Sequence, residues 1–381
     1  MTLVRTILAA LFVTAVVGSV VVFLAGREGG DRPSVGGVVE DELIRADLAD
    51  GVAEDVAVVD GGLVLRESSR SGFPRRGRWT SAVMPIDAFT ELLPSWNADC
   101  PPGTGVRFSA RTMDGYTRRW SPWLDYGYWG KVPPPVFGES FDGGAVAVDI
   151  LELDRPAVAV QVRVDFFGYA LSKTDPTLDQ LKLAVRRGTD LPPTDRPTPA
   201  VDLPVPFIPQ RTAGDRIGGE ICSPTSTTMV AAFHGASDTT APTLVENAMA
   251  IYDTEHGIFG NWNRAVQRAA ELGLAGHLER FSTWPQVEAH LRAGRPIIAS
   301  INFASGQAPS FVMDATAGHL IVVRGIDADG HLLVNDAASA NHGERAVYHA
   351  DELRTAWFQN AGGVGYVLYP RDEMPGIARG N

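Results

Sequence analysis

A cysteine at the mouth of a helix constrains this chain more than any other feature. The stretch Gly218–Gly219–Glu220–Ile221–Cys222–Ser223–Pro224–Thr225–Ser226–Thr227–Thr228–Met229 carries one of only two cysteines in 381 residues. Glycines precede it, Pro224 stands where a first helical turn tolerates proline, and the apolar run Met229–Phe233 continues until Gly235 stops it. A thiol there faces unpaired backbone N–H groups and the positive end of the helix dipole, and both favour the nucleophilic thiolate. A small residue opening a core helix would look the same in isolation. The reading turns on whether the partners of a cysteine nucleophile are also encoded.

The first partner is His319, heading the apolar run Gly318–His319–Leu320–Ile321–Val322–Val323–Arg324–Gly325–Ile326. An Asp327–Ala328–Asp329–Gly330 turn follows, then the return strand His331–Leu332–Leu333–Val334–Asn335–Asp336. Aspartate and glycine between apolar runs signal a hairpin. If Ala328 and Asp329 form the loop, Ala338 lies opposite His319, and Asp336 is its diagonal neighbour on the same face at roughly 7–8 Å. Taking Asp329 and Gly330 as the loop keeps Asp336 on that face. A loop of three residues moves it to the other face unless a bulge restores the register.

Cysteine, histidine and aspartate in this chain order, helix first and hairpin second, is the arrangement of papain-like cysteine hydrolases. There the histidine takes the thiol proton and later protonates the leaving amine, while the carboxylate steadies the imidazolium. The other histidines are His234, His256, His277, His290, His331, His342 and His349. Only His319 heads a long apolar strand whose hairpin mate ends in a carboxylate. Upstream, Val205–Pro206–Phe207–Ile208–Pro209–Gln210 ends in an amide, and Gln210 is the candidate side-chain donor to a tetrahedral oxyanion.

These residues carry a family resemblance. From Pro204 to Pro370 the chain resembles the secreted peptidases similar to bacteriocin-leader-processing peptidases (family C thirty-nine). The matching elements are Val205-Pro-Phe-Ile-Pro-Gln210, Cys222-Ser-Pro-Thr-Ser-Thr-Thr-Met229, Gly260-Asn-Trp262, Ala293-Gly-Arg-Pro-Ile-Ile-Ala-Ser-Ile301, Gly318-His-Leu-Ile-Val-Val-Arg-Gly325, Val334-Asn-Asp336 and Gly363-Val-Gly-Tyr-Val367. The resemblance implies a papain-like fold with Cys222 as nucleophile, His319 as general base, Asp336 as its orienter and Gln210 as oxyanion donor. It supplies no substrate.

Elsewhere the sequence frames an exported, two-domain α+β chain. Residues 6–25 form an uncharged apolar run of 20 residues behind Arg5, long enough to span a bilayer. They read as a signal anchor or signal peptide (1–25), followed by a glycine-rich tether (26–51). This predicts a protein at the cell membrane with its domains outside, or secreted. From 52 to 187 the pattern is all-β: Val56–Asp60, Gly62–Glu67, Trp79–Met84, Gly105–Thr112, Trp120–Trp129, Ala145–Leu153, Ala157–Phe167 and Leu178–Arg186 read as strands. That suggests a jelly-roll-like sandwich, whose Trp79, Trp96, Trp120, Trp123 and Trp129 either fill a core or stack on sugar rings. A proline-rich linker (188–204) leads into the peptidase-like domain (205–381).

Around the cysteine, Thr243–Ile251, Trp262–Leu272 and Trp284–Ala293 read as helices and Arg295–Ile301 as a core strand. Thr243 is the expected cap of the first helix. Asn261 and Trp262, at a loop-to-helix junction, are candidates to line a substrate groove. A formal net charge of −12, without any basic tract, argues against a nucleic-acid partner. Scattered histidines and scarce cysteine predict no metal and no cofactor. The expected partner is a peptide or protein, cell-wall peptide included. Three functions fit: a cysteine peptidase, a cell-wall amidase, endopeptidase or acyl transferase of the same fold, and a papain-fold binding protein without turnover.

Overall fold

A computed structural model describes residues 42–66, 74–169, 174–188, 190–194, 196–199 and 201–374. The expected anchor and most of the tether lie outside the described residues. No described helix is long and apolar enough to cross a membrane. All described residues fall within one compact unit.

The first half is a β domain, as its alternating pattern predicts. Its strands are β1 Glu42–Arg45, β2 Gly51–Glu54, β3 Val56–Val59, β4 Gly62–Leu65, β5 Arg75–Ser81, β6 Met84–Asp99, β7 Thr104–Asp114, β8 Leu124–Gly130, β9 Ser140–Phe141, β10 Gly144–Ala147, β11 Ile150–Gly168 and β12 Thr177–Arg186. Hydrogen bonding joins them in one sheet, where the sandwich expectation has two. The join is made by two long strands. Residues 84–92 of β6 pair with β11, and residues 91–99 then pair with β12. β11 pairs along one edge with β10 and β7 and along the other with β6 and β5.

Register shifts near Ala157 and Ala159 bend β11 as bulges do. The bent sheet closes on an apolar cluster that includes Leu63, Trp79, Phe89, Trp96, Phe108 and Phe166. The Trp96 and Phe108 rings stack there, 3.7 Å apart. Trp79, Trp96 and Trp129 are therefore core residues. Trp120 and Trp123 are only half-buried, and their faces are taken by arginine: Arg111 lies over both, and Arg163 over Trp123 at 3.9 Å. Strand β6 escaped the sequence reading because Pro85 and Pro94 argue against a paired strand.

The second half builds a six-stranded antiparallel sheet in the order β13-β18-β14-β15-β16-β17. Its strands are β13 Leu274–Arg280, β14 Ile297–Phe303, β15 Thr316–Ile326, β16 Leu332–Asn335, β17 Ala346–Tyr348 and β18 Val364–Pro370. The helices are α1 Cys222–Phe233, α2 Ala241–Ile251, α3 Trp262–Glu271, α4 Trp284–Arg292 and the single turn α5 Ala350–Leu353. The cap of α2 is Thr240 and not Thr243: Pro242 lies inside the first turn, and Thr243 donates its backbone N–H to the Thr240 side chain.

Strand β13 is an edge of this sheet, and side chains of the β domain satisfy its outer backbone groups. Asn97 Nδ2 and Gln180 Nε2 both donate to the Gly276 carbonyl at 3.0 Å, and Gly276 N–H returns a bond to Asn97 Oδ1. Leu278 N–H donates to Ser95 Oγ. Gln267 of α3 is bonded to both the N–H and the carbonyl of Ala98, and Arg280 pairs with Glu91 at 2.6 Å. The proline-rich segment also lies against the second half: Thr198 bonds Glu288, Trp284 N–H bonds Thr194, and Leu203 N–H bonds the Arg324 carbonyl. Replacing Asn97 with leucine would strand buried groups of Gly276 and Gln180. The Asn97→Leu variant should lose about 1–3 kcal/mol of stability in urea unfolding; a loss indistinguishable from zero would mean the seam does not depend on this amide.

Candidate active site

The serine and threonine run that follows the cysteine would ordinarily compete with helix formation. In α1 it is absorbed by back-bonding: Thr225 donates to the Ile221 carbonyl, Thr227 to Ser223 and Thr228 to Pro224, each about one turn earlier. These hydroxyls can therefore be buried. Ser226 instead donates to the Leu320 carbonyl of β15, tying the cysteine helix to the strand that carries the histidine.

That tie brings Cys222 near His319, whose imidazole acts on the thiol. Cys222 as a residue is half-buried, and the backbone N–H groups of Leu320 and Ser223 also favour its thiolate. Burial alone would raise the thiol pKa. The His319 bond and charge, aided by those N–H groups, pull it below its ordinary value.

On the other side of the ring, His319 Nε2 bonds Asp336 Oδ1 at 2.7 Å, with the two residues only 4% and 1% exposed. Nδ1 is thus the nitrogen left for the thiol. Burial opposes a charged imidazole here, but the Asp336 carboxylate and the Cys222 sulfur outweigh it and push the His319 pKa up to about 10. Burial likewise opposes the Asp336 charge, and the imidazole prevails in holding that carboxyl below its usual value.

Asp336 has two further donors. Ala338 N–H reaches Oδ1 at 2.9 Å and the Tyr348 hydroxyl reaches Oδ2 at 2.6 Å. Tyr348 is in turn fixed by stacking on Phe311 and by accepting the Val312 N–H. The sequence reading missed Tyr348. Its only local signal was a tyrosine in a short strand, with nothing to connect it to Asp336.

The hairpin register follows the third of the loop alternatives. Asp327 bonds across to His331, so the loop is Ala328–Asp329–Gly330, and Ile326 faces Leu332. A bulge at Arg324 then restores the register, so that Val323 faces Val334 and Val322 faces Asn335. Asp336 therefore falls on the His319 face. The bulged Arg324 bonds Asp202 and the Val205 carbonyl, anchoring the segment that leads to Gln210. Gln210 is buried, and its backbone N–H donates to the Ala337 carbonyl, one residue past Asp336.

Asn261 and Trp262 engage other partners. Asn261 caps α3 through the Arg264 N–H and donates its amide to Asp253 Oδ2. The Trp262 N–H donates to Asp149 Oδ2 at 2.9 Å. Asp149 belongs to the β domain and is buried, which raises its pKa to about 7 against the pull of the Trp262 and Asn263 N–H groups. It is delivered by Val148, whose φ of 59° is a strained left-handed conformation for a β-branched residue. Both cysteines are free thiols.

The paired charges set a test that does not require a substrate. An ordinary thiol of pKa about 8.5 is under about 1% thiolate at pH 6. Cys222 should be alkylated by iodoacetamide at that pH, while Cys100, whose thiol burial pushes far up, serves as the unreactive control. In His319→Ala the imidazole bond and charge that lower the Cys222 pKa are lost, leaving only the Leu320 and Ser223 N–H groups against desolvation. Labelling at pH 6 should fall roughly ten-fold or more; an unchanged rate measured by mass spectrometry would contradict the pairing.

Residues 202–364 match the peptidase C39-like family, and residues 44–185 match the peptidase C39 N-terminal domain. No curated protein sequence matches the chain. Among solved structures, similarity is found to the accessory secretory protein 1, 2 and 3 structure of Streptococcus pneumoniae, at 15% identity over 42% of this chain and 97% of that one, with a TM-score of 0.21. A structure of the infectious bursal disease virus Gt strain is 9% identical over 42% of this chain and 36% of that one, TM-score 0.23. TmCBM61 in complex with beta-1,4-galactotriose is 10% identical over 42% and 98%, TM-score 0.18. Scores this low carry no argument about fold or ligand. The two family matches are consecutive and cover both halves of the described structure: the chain belongs to the peptidase C39-like family.

Proposed function

We infer that this chain is a cysteine peptidase working outside the cytoplasm, with a papain-like second domain and Cys222, His319 and Asp336 as its triad. The observation that carries this reading is the placing of the His319 ring, which bonds the Asp336 carboxylate at 2.7 Å and acts on the Cys222 thiol to lower its pKa. Each member has the electrostatic bias its role requires: a thiol pulled towards thiolate, an imidazole held charged, and a carboxylate kept ionised.

In the proposed mechanism, the thiolate attacks the scissile carbonyl carbon and forms a C–S bond as the carbonyl oxygen becomes an oxyanion. The Gln210 amide and the backbone N–H at the start of α1 donate to that oxygen. Collapse breaks the C–N bond, and the His319 imidazolium gives its proton to the leaving amine. His319, now neutral, takes a proton from water, whose oxygen attacks the thioester carbonyl. Loss of the sulfur releases the acid and restores the thiolate–imidazolium pair. Asp336 keeps the ring oriented and balances its charge throughout, with Tyr348 holding the carboxylate from behind.

Cys222→Ala should abolish cleavage of a peptide library and leave the circular dichroism spectrum unchanged, and His319→Ala should be nearly as damaging. Retained turnover in the cysteine variant would end the peptidase reading. Gln210→Ala should cost on the order of 10²–10³ in turnover, whereas undiminished turnover would remove Gln210 from the oxyanion site. Export rests on the apolar run of residues 6–25. Protease added to intact cells should digest the protein; protein found only in the cytosol would refute that part of the proposal.

A further inference from the structure

The seam between the β domain and β13 holds a row of ionisable side chains that the proposed hydrolysis does not use. Lys182 Nζ on β12 lies 3.2 Å from Nδ1 of His277 on β13. His277 Nε2 lies 3.1 Å from Glu279 Oε2, and Nε2 of His290 on α4 reaches the same oxygen at 3.1 Å. His277 is only 3% exposed. It sits between Gly276 and Leu278, the two residues whose backbone is bonded by Asn97, Gln180 and Ser95.

Hydrogen-bond valence fixes the state of the ring. An ammonium has donors and no acceptor, so the Nδ1 that faces Lys182 presents a lone pair. The ring proton is then on Nε2, where Glu279 accepts it. A proton added to Nδ1 sets two donors and two positive charges 3.2 Å apart in a buried site. The charges follow the same logic. Burial, aided by the Lys182 charge, holds His277 down at about 4 against the bond to Glu279. Burial, with the Arg45 and Arg295 charges, brings Lys182 down to about 8 against the pull of Glu279. Burial opposes the Glu279 charge, but the two imidazole bonds prevail and lower its carboxyl to about 2. Of these three, only His277 changes charge between its ordinary value of 6.5 and about 4. Tyr369 of β18 meets the His277 ring edge-on, and its hydroxyl is bonded to Gln180. Beyond β18, Arg371 pairs with Asp179 and Glu373 with Arg295.

We propose that Lys182, His277 and Glu279 form an acid-operated latch between the two halves: neutral His277 holds the β domain on β13, and a proton on Nδ1 releases Lys182 and frees that edge. The sign follows from the proton count. An imidazole whose pKa is lowered in the closed seam takes up a proton more readily in the open one. Closure is therefore fully favoured above about 6.5 and is lost as pH falls towards about 4. Each pH unit lost within that window favours the open seam by up to about ten-fold. What opens is the backbone edge that the β domain covers, so acid returns β13 to a strand able to pair with another chain.

Residue-resolved amide hydrogen exchange on the full chain, corrected for the intrinsic pH dependence of exchange, tests the latch. The Gly276 and Leu278 N–H groups donate across the seam to Asn97 and Ser95, whereas Val322 and Val323 are paired on both sides within the second sheet. Between about pH 7 and about pH 4.5, protection at Gly276 and Leu278 should fall roughly ten-fold or more beyond any fall at Val322 and Val323. His277→Gln keeps an acceptor for Lys182 and a donor for Glu279 but takes no proton, and it should remove that excess. Lys182→Met, which deletes the facing charge, should shrink the excess, and it serves if the glutamine variant does not fold. Protection that holds at Gly276 and Leu278 would overturn the latch. An equal fall at all four amides would place the event in global unfolding and overturn it as well, as would an excess undiminished in either variant.

Discussion

A buried carboxylate bonded to a buried imidazole sets the terms for the second half of this protein. Ionised Asp336 in a nearly dry site would be prohibitively unstable without partners. It has three: the His319 ring, the Ala338 N–H and the Tyr348 hydroxyl. These come from β15, from the chain just after β16, and from β17, so the ion pair depends on the pairing of all three strands. The close approach of Gly343 to the Asp336 carbonyl completes that turn. A Cβ at Gly343 would lie 1.9 Å from this oxygen, which excludes any side chain there.

The same charge reaches Cys222 through the ring. A thiol at the start of a helix already has N–H groups to face, but desolvation works against thiolate. The imidazolium, itself maintained by Asp336, tips the balance. The Ser226 bond to the Leu320 carbonyl keeps α1 at the distance this requires. Helix, strand and charge are coupled, and the lowered thiol pKa belongs to the arrangement and not to the cysteine alone.

The N-terminal β domain is also more than an appended module. The edge of β13 is finished by Asn97, Gln180 and Ser95, and α3 is capped in part by Asp149. An uncovered edge strand invites pairing with other chains. Here the covering groups are polar side chains and not another strand, so the two sheets meet without merging. A seam of this kind ties the stability of the peptidase-like half to the β domain.

What the sequence by itself determined was local. The helix from Cys222, its stop at Gly235, the apolar strand behind His319 and the turn at Asp327–Gly330 all follow from residue periodicity and turn chemistry within a dozen positions. The face shared by His319 and Asp336 was open in the sequence, because a loop of three residues and a bulge each shift the register by one and only their combination restores it. Pairing decided it, through the bulge at Arg324 that Asp202 and Val205 hold. Tyr348 behind Asp336, Asp149 at the mouth of α3 and the proline-bearing strand β6 were invisible for a related reason. Each is defined by a partner distant in sequence, and no local pattern records what the folded chain will bring beside it.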